Sequence, residues 1–389
     1  IAAYGPAEPA EYNEIRYALI IARQAEDIAL VGGGTIDGNG AAFAEDARPQ
    51  GIYLDRCVRV TVQGLRLKDA GAWMLHIQRC REVLVTGVTI RSRVQMYNDG
   101  IDIDSSQMVR ISDCDILCGD DAIALKTRYE EPSSNIVVTN CLIKTDWAAF
   151  RFGPESLGGF YNIAVSNCVI RETWGTGIKL QMAQGSRMSD ITFSNIIMDQ
   201  VTGPFSIRLS GWSKGSIVPP SNVRWKEGVL ERITFSGIRA TVAGYTDRRD
   251  MNWEDEKYAS ITITGLPDMR VKDLAFSDID ISFPGGGKPE HAERTVLPDL
   301  PEEYPEYLVL GVPSAHALYM HHCDNIRFSG VRFHLRAPDP RPALVLHDCH
   351  GVVFDTASIE ASPGADAAVR LSQSKDIRFR HARFCDGVE

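Results

Sequence analysis

Short runs of alternating apolar and polar residues recur along almost the whole chain. The pattern has aliphatic residues at positions one and three and Asn, Gly or Asp at position five. It appears as V-T-V-Q-G-L-R-L from Val60, V-R-I-S-D-C-D-I from Val109 and I-A-V-S-N-C-V-I from Ile163. Further copies begin at Ile28, Val83, Ile136, Ile191, Ile233, Leu274 and Ile326, and weaker ones begin at Val352 and Ile377. Alternation gives a strand one inward face, and Asn, Gly and Asp tolerate left-handed backbone. The pattern predicts short strands joined by tight turns.

The spacing of these copies predicts a solenoid. From Val60 onward, successive copies start 23, 26, 27, 27, 28, 42, 41, 52, 26 and 25 residues apart. Periods of about 20–50 residues indicate a repeat architecture, and the 3.6-residue periodicity of helices is absent. We predict an all-β fold: a single-stranded, right-handed parallel β-helix of about 10–12 coils, with residues 1–389 as one domain. Equivalent residues on successive coils then stack about 4.8 Å apart.

The three long periods mark insertions. They fall at about residues 200–230, 241–265 and 283–315. Long loops on one face of a solenoid tend to line a binding cleft, so we expect these three to form the walls of one. Residues before about 25 are expected to form a cap, because the end of a solenoid exposes strand edges that need cover.

Two columns of stacked side chains follow from the register. Asn140, Asn167 and Asn195 share one position of the repeat and predict an asparagine ladder. Cys114, Cys141 and Cys168 share another and predict a column of buried thiols. The chain has nine cysteines, so at least one is unpaired in a monomer, and the lack of a Cys-x-x-Cys pair argues against a metal site.

Composition and charge exclude some classes of partner. The net charge of -10 argues against nucleic-acid binding, which usually needs a basic patch. No apolar run approaches the roughly 20 residues that span a membrane. We therefore expect neither a nucleic-acid nor a membrane partner, and we also expect a monomer. The chain starts at Ile1, so a removed leader and a trimmed sequence are both open.

Two acidic groups stand on neighbouring repeats. Asp99, Asp102 and Asp104 lie in N-D-G-I-D-I-D, and Asp120 and Asp121 lie in C-G-D-D. One strand-like stretch, residues 109–116, separates them, so the two groups should fall on adjacent coils. Carboxylates gathered so closely shift one another's pKa values. Two carboxyl groups that hold one proton and one negative charge between them are what the cleavage of a glycosidic bond requires.

The two motifs, in this repeat, resemble glycoside hydrolase family 28, the family of polygalacturonases and rhamnogalacturonan hydrolases. The resemblance runs from about residue 32 to about 384 and rests on N-D-G-I-D-I followed by G-D-D-A-I-A-L-K. It implies an inverting mechanism with Asp120 as general acid and with Asp99 and Asp121 holding and activating water. Asn98, inside the first motif, is an expected substrate contact. In inverting enzymes the acid and base carboxyls are about 6.5–9.5 Å apart, which adjacent coils can provide.

The chain departs from two further motifs of that family. Where the family has G-H-G, residues 145–156 read T-D-W-A-A-F-R-F-G-P-E-S, and the histidine position falls on Ala148. Where the family has R-I-K, the chain has Gly177-Ile178-Lys179, which keeps only the lysine. In the family the Arg–Lys pair grips the carboxylate of a uronic acid, and a lone ammonium is a weaker clamp.

Four further residues are expected to complete the substrate site. At one coil per repeat, Arg151 should stack close to Ile178 and Arg208 close to Lys179, so either arginine could replace the missing one. Trp147 and Trp212 are expected to wall the site or stack on a sugar ring.

No metal or cofactor is expected. His76 is interpreted as a packing histidine, and His321 and His322 have no third ligand at metal spacing.

The leading hypothesis is an inverting glycoside hydrolase acting on pectin-type polysaccharides or their oligosaccharides. The two departures favour cleavage of rhamnogalacturonan, xylogalacturonan, or a rhamnosidic or galacturonosidic end. One alternative is a β-helical polysaccharide lyase in which the aspartates hold Ca²⁺. The other is a non-catalytic, carbohydrate-binding β-helix. A secreted or periplasmic location is expected from the substrate class, because pectic polymers are extracellular.

Overall fold

The chain is a right-handed parallel β-helix. The structure, a computed structural model, describes residues 2–3, 17–211, 227–245 and 254–386. Within these ranges 33 strands pair in parallel from coil to coil, except for the antiparallel pair of the first two. None of the described helices combines the length and apolar character that crossing a membrane requires. The predicted fold class is confirmed.

Three sheets run along the helix axis, one strand per coil in each. The first sheet contains β2 Tyr17–Arg23, β5 Gln50–Asp55, β8 Leu75–Gln78, β11 Ile101–Asp104, β14 Ile123–Thr127, β17 Phe150–Ser156, β19 Ile178–Met182, β21 Phe205–Leu209, β23 Ile261–Thr264, β25 Leu318–Asp324, β28 Leu344–His350 and β31 Val369–Ser372. The second sheet contains β3 Glu26–Val31, β6 Val58–Gln63, β9 Arg81–Thr86, β12 Gln107–Ser112, β15 Ser133–Thr139, β26 Arg327–Ser329, β29 Val353–Asp355 and β32 Arg378–Arg380.

The third sheet follows the second after the turn at Asn, Gly or Asp. It contains β4 Thr35–Asp37, β7 Arg66–Lys68, β10 Thr89–Ser92, β13 Asp115–Cys118, β16 Leu142–Thr145, β27 Arg332–Leu335, β30 Ser358–Ala361 and β33 Arg383–Asp386. Four long strands take part in both the second and the third sheet: β18 Phe160–Thr173, β20 Arg187–Val201, β22 Val229–Val242 and β24 Val271–Phe283. The described helical segments are short: α1 Pro289–Glu293 and the 3-10 turns Gly40–Ala42, Glu45–Ala47, Glu254–Tyr258 and Tyr307–Leu310.

The predicted stacks are confirmed. Asn140, Asn167 and Asn195 all have left-handed backbone, and the side-chain amide of Asn195 donates to the side-chain oxygen of Asn167 at 3.3 Å. The Asn140 amide donates to Asp113 at 3.2 Å, which extends the ladder by one coil. All nine cysteines are free thiols, and every one except Cys385 is buried. The ladder and the thiol column both follow from the coil length, which places equivalent residues directly above one another.

The ends and insertions differ in part from the expectation. Residues 17–23 form β2, a strand of the first coil, and β1 Ala2–Ala3 pairs with it antiparallel, so coil structure begins before residue 25. The insertion expected at about 200–230 begins only after β21, and residues 212–226 lie outside the described ranges. The connection between β24 and β25, which contains α1, crosses the outer face of the first sheet.

Candidate active site

The turns before β11 and β14 bring the three predicted aspartates together. Ile101 pairs with Ile123, and the Gly100 amide donates to the Asp121 carbonyl at 2.9 Å, so the turns stack. One carboxylate oxygen each of Asp99, Asp120 and Asp121 lies within 4.8 Å of the other two. Asp99 and Asp121 are buried, whereas Asp120 is partly exposed. These nearest-oxygen distances are about one coil spacing, as expected for directly stacked turns, and the separation of about 6.5–9.5 Å between the carboxyl groups stays a prediction.

Hydrogen bonds from the backbone orient these carboxylates. The Asp121 amide donates to Asp120 Oδ1 at 2.9 Å, and the Ala148 amide donates to Asp121 Oδ1 at 3.2 Å. The Thr145 hydroxyl donates to the Asp120 carbonyl. Ala148, where the family motif has histidine, thus contributes through its backbone. Hydrogen bonds within its own coil and from the next coil therefore hold the Asp120–Asp121 turn.

Asn98 holds the turn that carries Asp99. Its side-chain oxygen accepts from the amides of Val94 at 2.9 Å and Gln95 at 2.8 Å, and its amide donates to the carbonyls of Ala70 at 2.9 Å and Ala72 at 3.1 Å. All four hydrogen-bonding positions of the buried amide are used. The prediction that Asn98 contacts substrate is corrected: the side chain has nothing left to offer a sugar.

Burial and mutual repulsion raise the pKa values in this cluster. Burial, followed by the charge of Asp102, raises the pKa of Asp99 well above its usual range. Burial, followed by the charges of Asp99 and Asp121, does the same to the pKa of Asp120. Burial also raises the pKa of Asp102 to about 7. The cluster therefore keeps a proton at a pH where an ordinary aspartate is ionised, which makes an acid and a base available together.

A lysine that sequence reasoning did not single out compensates part of this charge. Lys126 Nζ lies 3.6 Å from Asp99 Oδ2 and 3.4 Å from Asp102 Oδ1, and 4.5 Å from the centroid of the Trp73 ring. Although burial opposes it, the charges of Asp102 and Asp99 raise the pKa of Lys126. The sequence contained a signal for both Lys126 and Trp73. Lys126 alternates with the inward Ile123 and Leu125, and Trp73 stands one repeat before Asp99.

Arg151, Lys179 and Trp147 join the cluster, with Glu306 as an unpredicted partner. Arg151 pairs in register with Lys179, not Ile178, one residue away from the expectation. Arg151 Nη1 lies 3.4 Å from Asp121 Oδ2 and 3.7 Å from Glu306 Oε2. Lys179 Nζ lies 2.6 Å from Glu306 Oε1 and 4.9 Å from the centroid of the Trp147 ring. Burial lowers the pKa of Lys179 to about 8, although Glu306 opposes the shift.

Arg208 is directed elsewhere. It pairs with Gln181, two residues along the strand from Lys179, and its Nη2 donates to the carbonyls of Asp299 at 3.0 Å and Leu300 at 2.8 Å. Burial lowers its pKa to about 10. Arg208 therefore anchors the connection before β25 through Nη2, and its sugar contact stays a prediction. Trp212 lies outside the described residues.

A second polar cluster lies on the same sheet face. Asp299, His321 and His322 offer ligand atoms within 4.8 Å of one another, so the expectation of no third ligand is wrong. The two imidazoles are, however, stacked, with centroids 3.7 Å apart and planes at 22°. A coordinated metal lies near the plane of each imidazole, which two nearly parallel rings cannot both satisfy. His322 instead bridges Asp348 at 2.6 Å and Asp299 at 3.2 Å.

The aspartate trio also has the donor atoms of a cation site. Ca²⁺ takes about 6–8 oxygen ligands. Here Lys126 and Arg151 already place positive charges 3.6 and 3.4 Å from Asp99 and Asp121. These two side chains fill positions that further oxygen ligands would need and repel a divalent ion, so the trio does not fit a Ca²⁺ site.

Comparison with known proteins adds an independent observation. Residues 7–266 match the family model of glycosyl hydrolases family 28. A probable polygalacturonase of Vitis vinifera is 28% identical over 207 residues, which span 48% of this chain and 42% of that protein, less than half its length. The endo-xylogalacturonan hydrolase of Aspergillus tubingensis superposes with a TM-score of 0.51 at 19% identity, covering 68% of this chain and 73% of that one. A tailspike protein of an E. coli bacteriophage, in complex with a pentasaccharide, gives a TM-score of 0.51 at 12% identity over 90% of this chain and 61% of its own.

Proposed function

This chain belongs to glycosyl hydrolases family 28, and we propose that it hydrolyses glycosidic bonds of pectin-type polysaccharides or their oligosaccharides with inversion at the anomeric carbon. The observation that carries the proposal is the aspartate trio, with one oxygen of each residue within 4.8 Å of the others and raised pKa values at Asp99 and Asp120. The pectin-type substrate is supported by relatives named polygalacturonase. The match to one of them covers 42% of that relative's length.

Asp120 is assigned as the general acid. It is the most exposed of the three, so its proton can reach a glycosidic oxygen that lies over the cluster. The bond from the anomeric carbon to that oxygen breaks as Asp120 transfers its proton, which leaves a hydroxyl on the departing sugar. The neighbouring negative charges stabilise the positive charge that develops on the sugar ring.

Asp99 and Asp121 are assigned to the water. An oxygen of this water forms the new bond to the anomeric carbon, on the face opposite the departing oxygen, and its proton passes to one of the two carboxylates. Lys126 opposes the effect of burial on the pKa of Asp99 and so helps to keep a base ionised. Because the nearest oxygens of the trio lie within 4.8 Å of one another, one water can hydrogen-bond to both Asp99 and Asp121.

The charges beside the trio bear on the sugar that is bound. Lys179 is the lysine retained from the carboxylate-binding motif, Arg151 pairs with it in register, and both contact Glu306. An internal carboxylate therefore already uses the groups that would hold a uronate. This arrangement supports a rhamnogalacturonan-type or related substrate, with a neutral sugar at this position, over plain galacturonan.

Proton NMR of the first product tests the mechanism. The purified protein is mixed with defined oligosaccharides of galacturonan, rhamnogalacturonan and xylogalacturonan, and the anomeric signal is recorded before mutarotation. We expect the first product to have the configuration opposite to that of the cleaved linkage. Retained configuration would refute inversion. An unsaturated product that disappears with a chelator would support the Ca²⁺-dependent lyase, and binding without turnover would support the non-catalytic β-helix.

Action on pectic polymers also supports a secreted or periplasmic location and a monomer that works alone on its substrate. Both are proposals that follow from the substrate class.

A further inference from the structure

We propose that the active site is a pocket closed at both ends along the helix axis, so that the enzyme removes short units from the end of a glycan and does not cut within it. The inference rests on the proposed hydrolase function and adds the mode of attack. The mode named for a similar structure, such as the endo-xylogalacturonan hydrolase, does not carry over to this chain, and the aspartate trio does not assign a mode, because the same three carboxylates can serve an open groove or a pocket.

The outer face of the first sheet is where a long substrate would lie. Outward side chains on successive coils form two rows parallel to the axis. One row contains Tyr53, His76, Asp102, Ala124, Arg151, Lys179, Ser206 and Thr262. The other contains Gln78, Asp104 and Lys126, then Gln181, Arg208, Thr264 and His321. A polysaccharide cut internally needs several sugars bound along such rows on both sides of the trio.

On one side of the trio, residues 297–306 cover these rows; we call them the closing segment. At its near end, Glu306 Oε1 lies 2.6 Å from Lys179 Nζ, and Glu306 Oε2 lies 3.7 Å from Arg151 Nη1. Arg151 Nη2 also donates to the Tyr304 hydroxyl. This end of the closing segment therefore lies over the coil of Arg151, whose guanidinium Nη1 is 3.4 Å from Asp121 Oδ2.

The far end of the closing segment is held over later coils. Arg208 donates to the carbonyls of Asp299 and Leu300, and the Leu297 amide donates to the Tyr319 hydroxyl at 2.9 Å. The Asp299 carboxylate lies 3.2 Å from His322 Nε2. The cover therefore extends from β17 to β25 of the first sheet, and each contact uses an outward side chain that an open groove would offer to sugars.

Burial of charge on these rows agrees with closure. Lys179 is 0% exposed and Arg208 is 3% exposed, although both point outward from the sheet. Lysine and arginine are almost never fully buried unless they are paired. Their partners here are Glu306 for Lys179 and two backbone carbonyls for Arg208, all from the closing segment. The segment therefore fills the groove and is not a loosely lying loop above it.

On the other side of the trio, residues 128–131 cover the rows. Gln78 Nε2 donates to the Tyr129 hydroxyl at 2.6 Å, and Arg79 Nη2 donates to Glu131 at 2.7 Å. Arg128 Nε donates to Asp104 at 2.7 Å. The same arginine also lies 5.0 Å from the centroid of the Trp73 ring.

The outward side chains beneath residues 128–131 are buried, including His76 and Gln78. Between the two covers, Trp73, Asp120 and Trp147 keep partial exposure. Among the described residues, the open part of the face therefore has Trp73 and Trp147 as walls and Asp120, the proposed general acid, between them. Such a pocket accepts a chain end, because a chain that continued past either cover would collide with it.

The mode of attack is measured on the wild-type protein with soluble polygalacturonan and rhamnogalacturonan. New reducing ends and specific viscosity are followed together, and products are sized by chromatography from the earliest time point. We expect reducing ends to accumulate while viscosity falls slowly, with a short product present from the start. Rapid viscosity loss with a ladder of intermediate lengths would overturn the pocket while leaving the proposed hydrolase intact. Absence of any cleavage, including that of the defined oligosaccharides, would instead count against the hydrolase.

Variants locate the cause of closure. Glu306→Ala removes the carboxylate that ties the closing segment to Lys179 and Arg151, and Tyr304→Ala removes a neighbouring contact. Glu302→Ala, an exposed residue of the same segment, is the matched control. We expect either of the first two to increase the viscosity loss per bond cut, whereas the control matches wild type. If Glu306→Ala fails to fold, Tyr304→Ala decides. A wild-type product pattern in every folded variant would refute closure by this segment.

Discussion

Residues of the same chemical type stack on successive coils both inside the second sheet and at the outer face of the first sheet. The stack inside the second sheet is attractive, whereas the stack at the outer face is repulsive. Inside, Phe193, Phe235, Phe276, Phe328, Phe354 and Phe379 form a column with ring centroids 4.6 to 5.3 Å apart and planes within 11°. Outside, the turns before β11 and β14 hold three carboxylates at a similar spacing. One repeat geometry therefore produces both attractive and repulsive stacks.

The difference lies in the chemistry of what is stacked. Offset aromatic rings attract one another and bury apolar area, so each added coil stabilises the column. Buried carboxylates repel, and this cluster is tolerated because Lys126 and Arg151 contact it and a proton remains bound. The column thus stabilises the fold, whereas the acidic cluster has the raised pKa values that the proposed chemistry uses.

Replacing Asp120 with Asn should have the largest effect and separate the two roles. The amide cannot donate an acidic proton, so we expect turnover to fall by about 10²–10⁴-fold, the usual contribution of a general acid. The thermal midpoint should stay level or rise, because Asn is neutral without the bound proton that the raised pKa of Asp120 implies. Initial rates on the best substrate and thermal denaturation measure the two effects.

Asp113→Asn is the matched control for that substitution. Asp113 is exposed, has left-handed backbone that Asn also tolerates, and belongs to the asparagine ladder. Its rate should equal that of wild type. Near-normal turnover in Asp120→Asn would remove Asp120 from the acid role.

Phe276→Ala should break the aromatic column. Phe276 stacks on Phe235 at 4.7 Å and on Phe328 at 4.8 Å, so its removal leaves a cavity between two rings. We expect a destabilisation of about 3–5 kcal/mol, typical of a buried phenylalanine truncated to alanine. Chemical denaturation gives the measurement, and Phe276→Leu should lose clearly less. Equal losses for the two variants would show that the cavity does not determine stability here.

Asp102→Asn should produce the smallest effect, and it depends on pH. The pKa of Asp102 rises from 3.8 in the unfolded chain to about 7 in the fold, so the folded state prefers the protonated form. Stability from this group is complete below about pH 4 and is lost as pH rises from about 4 to about 7. The variant should therefore have a flatter profile of thermal midpoint against pH and a higher midpoint at pH 7. A profile parallel to that of wild type would contradict the raised pKa.

Much of the fold could be predicted from the sequence because residues at the same position of the repeat stack on successive coils. The recurring pattern and its regular spacing predicted the β-helix, the ladder of Asn140, Asn167 and Asn195, and the meeting of Asp99 with Asp120 and Asp121 on adjacent coils. The same spacing could also have located Trp73. Small errors, such as Arg151 pairing with Lys179 and not Ile178, came from coils whose lengths differ by a residue.

The sequence by itself determined the coil, the approximate register and the meeting of the aspartates, since each of these depends on residues at a nearly constant spacing. Only the tertiary structure decided which cations remain available to a substrate. Tyr304 reaches Arg151 across 153 residues, and Glu306 reaches Lys179 from the same connection. An insertion has no period, so its contacts are set by where its chain can lie across the sheet, and no local pattern of residues records that.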